Sequence, residues 1–222
     1  MEVGPGPGGL TRSLLESEAV SVTAIEKDER STVALRELEE AYPGRLKIIA
    51  ADALETNLAE LVPAPRKIVS NLPYNIGTPL LLNWLRQARE WESMTLMFQK
   101  EVADRLAAQP GSKAYGRLAI ITQWLCDVRS EFNVSPKAFT PPPKVSSSVI
   151  TLQPRAEPLA PARWEALEKI TRAAFGQRRK MLRTSLKSLN LDLEAMDINP
   201  TARAEELEIS QFCALARALD ET

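Results

Sequence analysis

The chain has 222 residues, of which 44% are hydrophobic and 26% charged, and its formal net charge is -1. Such a chain can bury a core in one or two domains, which excludes a disordered tail and a disulfide-stapled miniprotein. It contains no histidine, which excludes a Ser-His-Asp triad, a Cys-His pair and a HExxH zinc site. Cys126 and Cys213 lie far apart without a CxxC partner, so we expect no disulfide framework and no metal.

The near-neutral charge argues against indiscriminate coating of nucleic acid, although it is compatible with a local basic patch. No apolar run approaches the roughly eighteen residues of a bilayer span, and the first residues lack the basic-then-apolar pattern of an export signal. We therefore expect a cytoplasmic protein that does not interact with membranes.

Up to about Gln153, short β-branched runs alternate with longer amphipathic stretches, a pattern typical of an α/β fold with a mostly parallel sheet. The pattern predicts strands over residues 20–25, 47–51, 67–70 and 95–98, then an antiparallel edge pair over 131–134 and 145–152. It predicts helices over residues 10–16, 29–41, 79–89 and 101–108.

After Pro154 the β-branched runs stop, and Pro158 and Pro161 indicate a linker. Helical periodicity follows over residues 164–175 and 178–189. We therefore predict an α/β domain over residues 1–154 and a small all-helical domain over residues 155–222.

A glycine-rich loop opens the chain, with Gly4, Gly6, Gly8 and Gly9 after a run that starts at Glu2. Glycines allow a strand to turn sharply into a helix and let backbone amides approach a ligand closely. The strand ahead of this loop has only three residues where five or six are usual, so we expect a preceding segment to be missing.

Two kinds of ligand are compatible with this loop. Gly4, Gly6 and Gly9 satisfy GxGxxG, and Glu26 ends the next strand, which is typical of a site for a nicotinamide dinucleotide. With Glu2 and Gly8, however, the loop reads E-x-G-x-G-x-G and resembles that of S-adenosylmethionine (SAM) methyltransferases. That resemblance implies that Glu26 binds both ribose hydroxyls and that Asp52, after the third strand, binds the adenine amine. The alternative for both acids is a solvated strand end or a helix cap.

The tetrapeptide Asn71-Leu72-Pro73-Tyr74 follows the fourth predicted strand, at the carboxyl edge of the sheet beside the glycine loop. A polar turn with a packed tyrosine is the ordinary interpretation of such a string. At this position it resembles the [DNS]-[PL]-P-[YF] motif of amino methyltransferases. Acceptors are needed there because the lone pair of an adenine amine is delocalised. The Asn71 side-chain oxygen and the Leu72 carbonyl would each accept an N–H, Pro73 would stiffen the loop, and Tyr74 would stack on the extruded base.

Longer strings extend the resemblance to nearly the whole chain. They are EVGPGPGGLT, NLPYNIGTPLL, FQKEVADRL, PGSKAYGRL, FTPPPKVSSSV and FGQRRKMLRTSLK. On these motifs the sequence is identified as a member of the ribosomal RNA adenine dimethyltransferase family, of the bacterial small-subunit type. The resemblance implies a Rossmann-like SAM-dependent methyltransferase domain over residues 1–154 and an RNA-binding helical domain over residues 155–222.

The implied reaction is SAM-dependent dimethylation of two adjacent adenosines in a hairpin near the 3′ end of small-subunit rRNA, during ribosome biogenesis. The partner is the small ribosomal subunit, and we expect a monomer without a metal. A large-subunit adenine methylase that confers antibiotic resistance, and a non-catalytic ribosome-assembly or transcription factor with the same fold, are the alternatives.

The resemblance also implies roles for individual residues. Those assigned to the cofactor are Glu2, Gly4, Gly6, Gly8, Glu26, Asp52, Ala53 and Asn71. Phe139 is assigned, with the tetrapeptide, to the target base, and its alternative is packing under the Pro-rich loop. Two departures from the family stand out: no Gly-Gln-Asn-Phe-Leu segment precedes the glycine loop, and Ser146 stands where many members have aspartate.

Residues 172–187 carry six basic side chains and no acidic one, whereas residues 188–222 carry eight acidic side chains and two basic ones. A solvated helix face is the ordinary interpretation of such a run. We favour contacts with RNA phosphates, through Arg178, Arg179, Lys180, Arg183 and Lys187. Six phosphate contacts would give a salt slope of roughly -4, and we expect less because some side chains must face away.

Overall fold

The computed structural model describes residues 1–220 and contains seven strands and eight α-helices among them. The strands are β1 Glu2–Val3, β2 Val22–Glu26, β3 Leu46–Ala50, β4 Lys67–Asn71, β5 Ser93–Gln99, β6 Cys126–Val134 and β7 Ser147–Pro154. The helices are α1 Gly9–Glu16, α2 Glu29–Ala41, α3 Gly77–Leu85, α4 Lys100–Leu106, α5 Arg117–Leu125, α6 Trp164–Gly176, α7 Leu182–Ser185 and α8 Ile209–Asp220.

The seven strands form a mostly parallel α/β sheet. Strands β1, β2 and β3 pair in parallel, β4 pairs in parallel with β5, and β7 is antiparallel to β5 with β6 beyond it at the edge. The amide of Val69 donates to the Met1 carbonyl at 2.9 Å, which places β1 beside β4. The strand order is therefore β3-β2-β1-β4-β5-β7-β6, and it reverses between β1 and β4. Open α/β sheets bind their ligands at this reversal point.

The predicted α/β fold class is confirmed, and the first helices explain why it forms. The core cluster on β2 and β3 is closed by Leu15 of α1 and by Leu35 and Leu38 of α2. Asp28 caps α2 by accepting the amide of Arg30 at 2.9 Å. Hydrophobic burial on one face of each helix therefore orients both helices against the sheet.

Two parts of the predicted secondary structure differ from the structure. The predicted helix over residues 178–189 is wrong, because only α7 and a 3-10 turn over Lys187–Leu189 form there. The Leu182 amide bonds the Ala202 carbonyl at 2.8 Å, which holds the preceding backbone extended against a later segment. Helix α5 was not predicted, because it is buried on most sides and lacks an amphipathic period.

The chain divides into two compact units. The first comprises Met1–Ala103 and Arg129–Pro154, and the second comprises Asp104–Val128 and the chain from Arg155 onward. Residues 104–128 therefore group with the second unit and not, as expected, with the first. The reason is packing: α5 contacts α6 and α8, and the ring of Tyr115 packs edge-on against Phe175.

Within residues 1–220, no helix combines the length and apolar character that a membrane crossing requires. The same residues contain no cluster of three or more potential His, Cys, Asp or Glu metal ligands.

Candidate active site

The glycine loop and the Asn71–Tyr74 tetrapeptide meet at the point where the strand order reverses. The loop follows β1, and its Gly4 amide donates to the Ile25 carbonyl of β2 at 2.9 Å. A Cβ at Gly4 would lie 3.4 Å from Pro73 Cδ, so the two loops are in van der Waals contact. The site lies within the first unit.

Three glycines of the loop adopt positive φ angles, namely Gly4 at 67°, Gly6 at 54° and Gly8 at 88°. L side chains rarely adopt this region. A Cβ at Gly6 would meet nothing within 4 Å, so open space borders the loop there. At Gly8 it would lie 2.6 Å from Leu38 Cδ1 and 3.0 Å from Leu35 Cδ2. Gly8 therefore permits close packing of α1 on α2, whereas Gly6 borders the space for a ligand.

This difference predicts the effect of a single methyl group. We expect Gly8→Ala to lower the free energy of unfolding by about 2–4 kcal/mol. Alanine is strained at the positive φ of this position, and its Cβ would crowd Leu38 and Leu35. Gly9→Ala is the matched control: it is the first residue of α1 and its Cβ would have no neighbour within 4 Å. Urea denaturation of both variants measures the effect, and equal losses in the two would contradict the packing role of Gly8.

Glu26 ties the glycine loop to the end of β2. One carboxylate oxygen accepts the Gly6 amide at 3.1 Å, and the other accepts the amides of Lys27 and Asp28, both at 2.8 Å. The side chain is half-buried. A negative charge thus lies beside the loop amide that a diphosphate would approach.

Asp52 and Ala53 follow β3. The Lys27 ammonium lies 2.7 Å from the Asp52 carboxylate, which also accepts the Leu54 amide at 2.9 Å. The hydrogen bond from Lys27, supported by that amide, holds the pKa of Asp52 below its ordinary value. Asp52 therefore stays ionised, and Ala53 is buried beside it in the chain.

Glu2 is buried beneath the glycine loop, with 2% of its surface exposed. Thr11, fully buried on α1, donates its hydroxyl to the Glu2 carboxyl at 2.6 Å. Burial raises the pKa of Glu2 to about 7, although the bond from Thr11 opposes the shift. The carboxyl is therefore poised to titrate near neutrality.

Three side chains of the tetrapeptide are exposed, and the fourth, Leu72, is buried. Asn71 is the last residue of β4, pairs with Met97 of β5 and has an exposed side chain. Leu72 is buried at 1% exposure. The Pro73 carbonyl accepts the amides of Ile76 and Gly77 at 3.1 and 3.0 Å, which closes a turn ahead of α3.

Tyr74 is 41% exposed, and its hydroxyl lies 2.8 Å from the hydroxyl of Ser147 at the start of β7. Phe139 follows a 3-10 turn in the loop between β6 and β7 and is half-buried. Asn71 and Tyr74 are thus both exposed, on the turn whose Pro73 contacts the glycine loop.

The five basic candidates all lie in the second unit and fall into two groups. Arg178 donates to the carbonyls of Lys113 and Tyr115 at 2.7 and 3.0 Å, and its guanidinium lies 3.8 Å from Glu205. This gives Arg178 a structural role in holding the loop over residues 113–115. The others have exposed side chains, and they are Arg179, Lys180, Arg183 and Lys187.

Three residues that the motifs did not single out support the site. Thr11 orients Glu2, Lys27 neutralises Asp52, and Ser147 holds Tyr74. The sequence carried only a weak signal for each, since a polar residue in a helix, a turn or a serine run has many ordinary uses.

The chain is similar to known proteins over nearly its whole length. The family model for ribosomal RNA adenine dimethylase matches residues 1–221. Ribosomal RNA small subunit methyltransferase A of Paramagnetospirillum magneticum is 63% identical over 99% of this chain and 79% of its own length. The protein of the same name from Rhodospirillum rubrum is 58% identical over 99% of this chain and 77% of its own length.

Two solved structures share the fold across nearly the whole chain. A dimethyladenosine transferase from Plasmodium falciparum superposes with a TM-score of 0.83 at 28% identity, covering 99% of this chain and 89% of the other. The 23S rRNA methyltransferase ErmE superposes with a TM-score of 0.70 at 27% identity, with the same coverage.

Proposed function

Because the chain belongs to the ribosomal RNA adenine dimethylase family, we propose that it uses SAM to dimethylate two adjacent adenosines near the 3′ end of small-subunit rRNA. The proposed target is the N6 amine of each adenosine, in a hairpin of the small ribosomal subunit. The close relatives named small subunit methyltransferase A support this choice of subunit. The proposed enzyme acts in the cytoplasm during ribosome biogenesis, as a monomer without a metal.

The observation that carries this proposal is the exposure of Asn71 and Tyr74 beside an open glycine loop. An acceptor and an aromatic ring on one short turn are what an extruded adenine requires. The turn also lies at the reversal point of the sheet, where a ligand of the glycine loop would sit.

The residues around the loop fit SAM better than a dinucleotide. The Gly6 amide already donates to the Glu26 carboxylate, and Asp52 adds a second carboxylate at the same sheet edge. Carboxylates would repel a pyrophosphate but tolerate a cationic ligand. Glu26 would bind the ribose hydroxyls, and Asp52 and Ala53 would flank the adenine. Gly4, Gly6 and Gly8 would shape the loop, with Glu2 beneath it. When bound, SAM would supply a methyl group activated by a sulfonium.

The chain's own residues would orient the amine of the target base. The two N–H groups of the amine would donate hydrogen bonds, one to the Asn71 side-chain oxygen and one to the Leu72 carbonyl. These bonds favour a more tetrahedral nitrogen whose lone pair is free to react. Tyr74 would stack on the ring, with a contribution of about 1–3 kcal/mol against the cost of unstacking. Phe139 is proposed to support that stacking. The methylated nitrogen is acidic enough to lose its proton to solvent, so no histidine is needed.

A large-subunit adenine methylase is the second candidate, because the structure of ErmE shares the fold at 27% identity. Incubating the protein with labelled SAM and separate, undermethylated ribosomal subunits distinguishes the two. We expect label in the small subunit, as dimethyladenosine at two neighbouring positions. Label confined to the large subunit would overturn the proposal in favour of the second candidate. Absence of label, with retained binding to the small subunit, would favour a non-catalytic assembly factor.

The basic side chains of the second unit predict a specific salt dependence. Removing Arg179 and Lys180 together is expected to reduce the slope of log affinity against log salt by about 1.4, the value for two contacts to single-stranded phosphates. Arg172→Ala is the matched control, since its guanidinium is already paired with Glu168 at 2.9 Å. Filter binding at several salt concentrations measures the slopes, and an unchanged slope in the double variant would refute the RNA contact.

A further inference from the structure

The hydroxyl contact between Tyr74 and Ser147 joins the proposed base-stacking ring to the sheet. The two oxygens lie 2.8 Å apart. Ser147 is fully buried and occupies the first position of β7, where it pairs with Gln99 of β5. Tyr74, in contrast, lies on a turn and is 41% exposed. The contact therefore connects a partly exposed turn residue to a buried strand residue.

This contact restricts the ring in a way that the turn alone does not. A partly exposed tyrosine without a partner for its hydroxyl can exchange between side-chain rotamers, and the entropy lost when a base fixes one of them opposes binding. A hydrogen bond at the far end of the ring fixes its direction. The contact also satisfies Ser147, because a buried hydroxyl is rarely left without a hydrogen-bond partner.

We propose that Ser147 is a positioning residue, which holds the Tyr74 ring in the orientation that receives the target adenine. The inference rests on the proposed function. In this role Ser147 contacts neither the base nor the cofactor and acts only through the Tyr74 hydroxyl.

The kinetics of small-subunit methylation test whether Ser147 acts through Tyr74. We expect Ser147→Ala and Tyr74→Phe each to lower kcat/KM by about threefold to tenfold, the effect of one lost hydrogen bond. The double variant should be no worse than the more affected single variant, because both changes remove the same contact. Additive losses would overturn the proposal, since Ser147 would then act independently of Tyr74.

Ser148→Ala is the matched control. Ser148 is the next residue on β7, is 3% exposed, and donates to the Phe132 carbonyl at 3.4 Å. We expect its kcat/KM to stay at the wild-type value, with melting temperatures of the Ser147 and Ser148 variants within a few degrees of each other. An equal loss of kcat/KM in the Ser148 variant would show a general effect of the strand and overturn the proposal.

A second readout is independent of methyl transfer. Protein labelled with 3-fluorotyrosine carries three labelled rings, and the Tyr74 signal is identified by its loss in Tyr74→Phe. In Ser147→Ala we expect this signal alone to sharpen and move toward that of a free tyrosine, because the ring gains mobility. An unchanged Tyr74 signal would overturn the proposal. If the wild-type protein methylates no small subunits, the proposed function fails, and the fluorine spectrum still decides whether Ser147 restrains Tyr74.

Discussion

Asn71→Ala is expected to lower the rate of methyl transfer to small subunits by about 100-fold to 1,000-fold, the effect of removing one preorganised polar contact to a reacting group. The side chain is exposed at the end of β4, so its loss leaves no buried group unsatisfied. We therefore expect RNA affinity and the melting temperature to remain close to those of the wild type. Single-turnover methylation and filter binding measure the two quantities.

Asn71→Asp is the matched variant, since it keeps an oxygen that accepts an N–H from the base. It is expected to retain much more activity than the alanine variant. Equal rates in the alanine variant and the wild-type protein would contradict the role of Asn71. Parallel losses of RNA binding and transfer would place Asn71 in RNA recognition and not in orientation of the amine.

The stability of the protein is expected to depend on pH through Glu2. Burial raises the pKa of Glu2 from 4.5 to about 7, so the folded protein keeps a proton that the unfolded chain releases above about pH 4.5. The stabilisation that the folded protein gains from keeping this proton is therefore fully present below about pH 4.5 and is lost as pH rises toward 7. The free energy of unfolding is expected to fall by about 3 kcal/mol across this window, from 1.36 kcal/mol for each pKa unit.

Glu2→Gln removes this titration and keeps an acceptor for the Thr11 hydroxyl. Its stability should exceed that of the wild type above pH 7 and match it near pH 4.5. Thr11→Val removes the bond that opposes the shift, so it should move the loss of stability to higher pH. Urea denaturation between pH 4.5 and 8.5 measures these profiles, and a glutamine variant with the wild-type profile would refute the assignment.

The sequence predicted most of the first unit because its signals are local. β-branched runs and amphipathic periods located β2 to β5 and α1 to α4 within a few residues, and Asp28 marks the start of α2. The antiparallel pairing of β7 with β5, by contrast, joins residues that are between 48 and 58 positions apart. No local pattern specifies such a pairing. The sequence therefore predicted both strands, and the pairing of β7 with β6, but not that β5 and β7 are neighbours.

The second unit was less predictable for the same physical reason. Helix α5 is apolar on most of its surface, so it lacks the periodic pattern of a surface helix. The extended backbone before α7 is fixed by the bond from Leu182 to Ala202, which overrides the helical preference of its residues. Arg178 was assigned to RNA by its charge, but its guanidinium holds two backbone carbonyls in place.

In the site itself, the motifs indicated the residue types, and the structure shows which other residues hold them in place. The positions of Gly4 and Asn71 followed from strand order, whereas the burial of Glu2 against Thr11 depends on how α1 packs. Similarly, the contact between Tyr74 and Ser147 spans 73 residues. Such contacts set the pKa of Glu2 and the direction of the Tyr74 ring, and they arise only from the folded chain.

A crystal structure of the protein with a bisubstrate analogue, in which adenosine N6 is tethered to a SAM-like amine, tests the central claim most directly. The measured quantities are the distances from N6 to the Asn71 side-chain oxygen and to the Leu72 carbonyl. We predict hydrogen-bond distances of about 2.7–3.2 Å for both, with the adenine stacked on Tyr74. An adenine bound away from this turn, with both acceptors facing solvent, would contradict the claim.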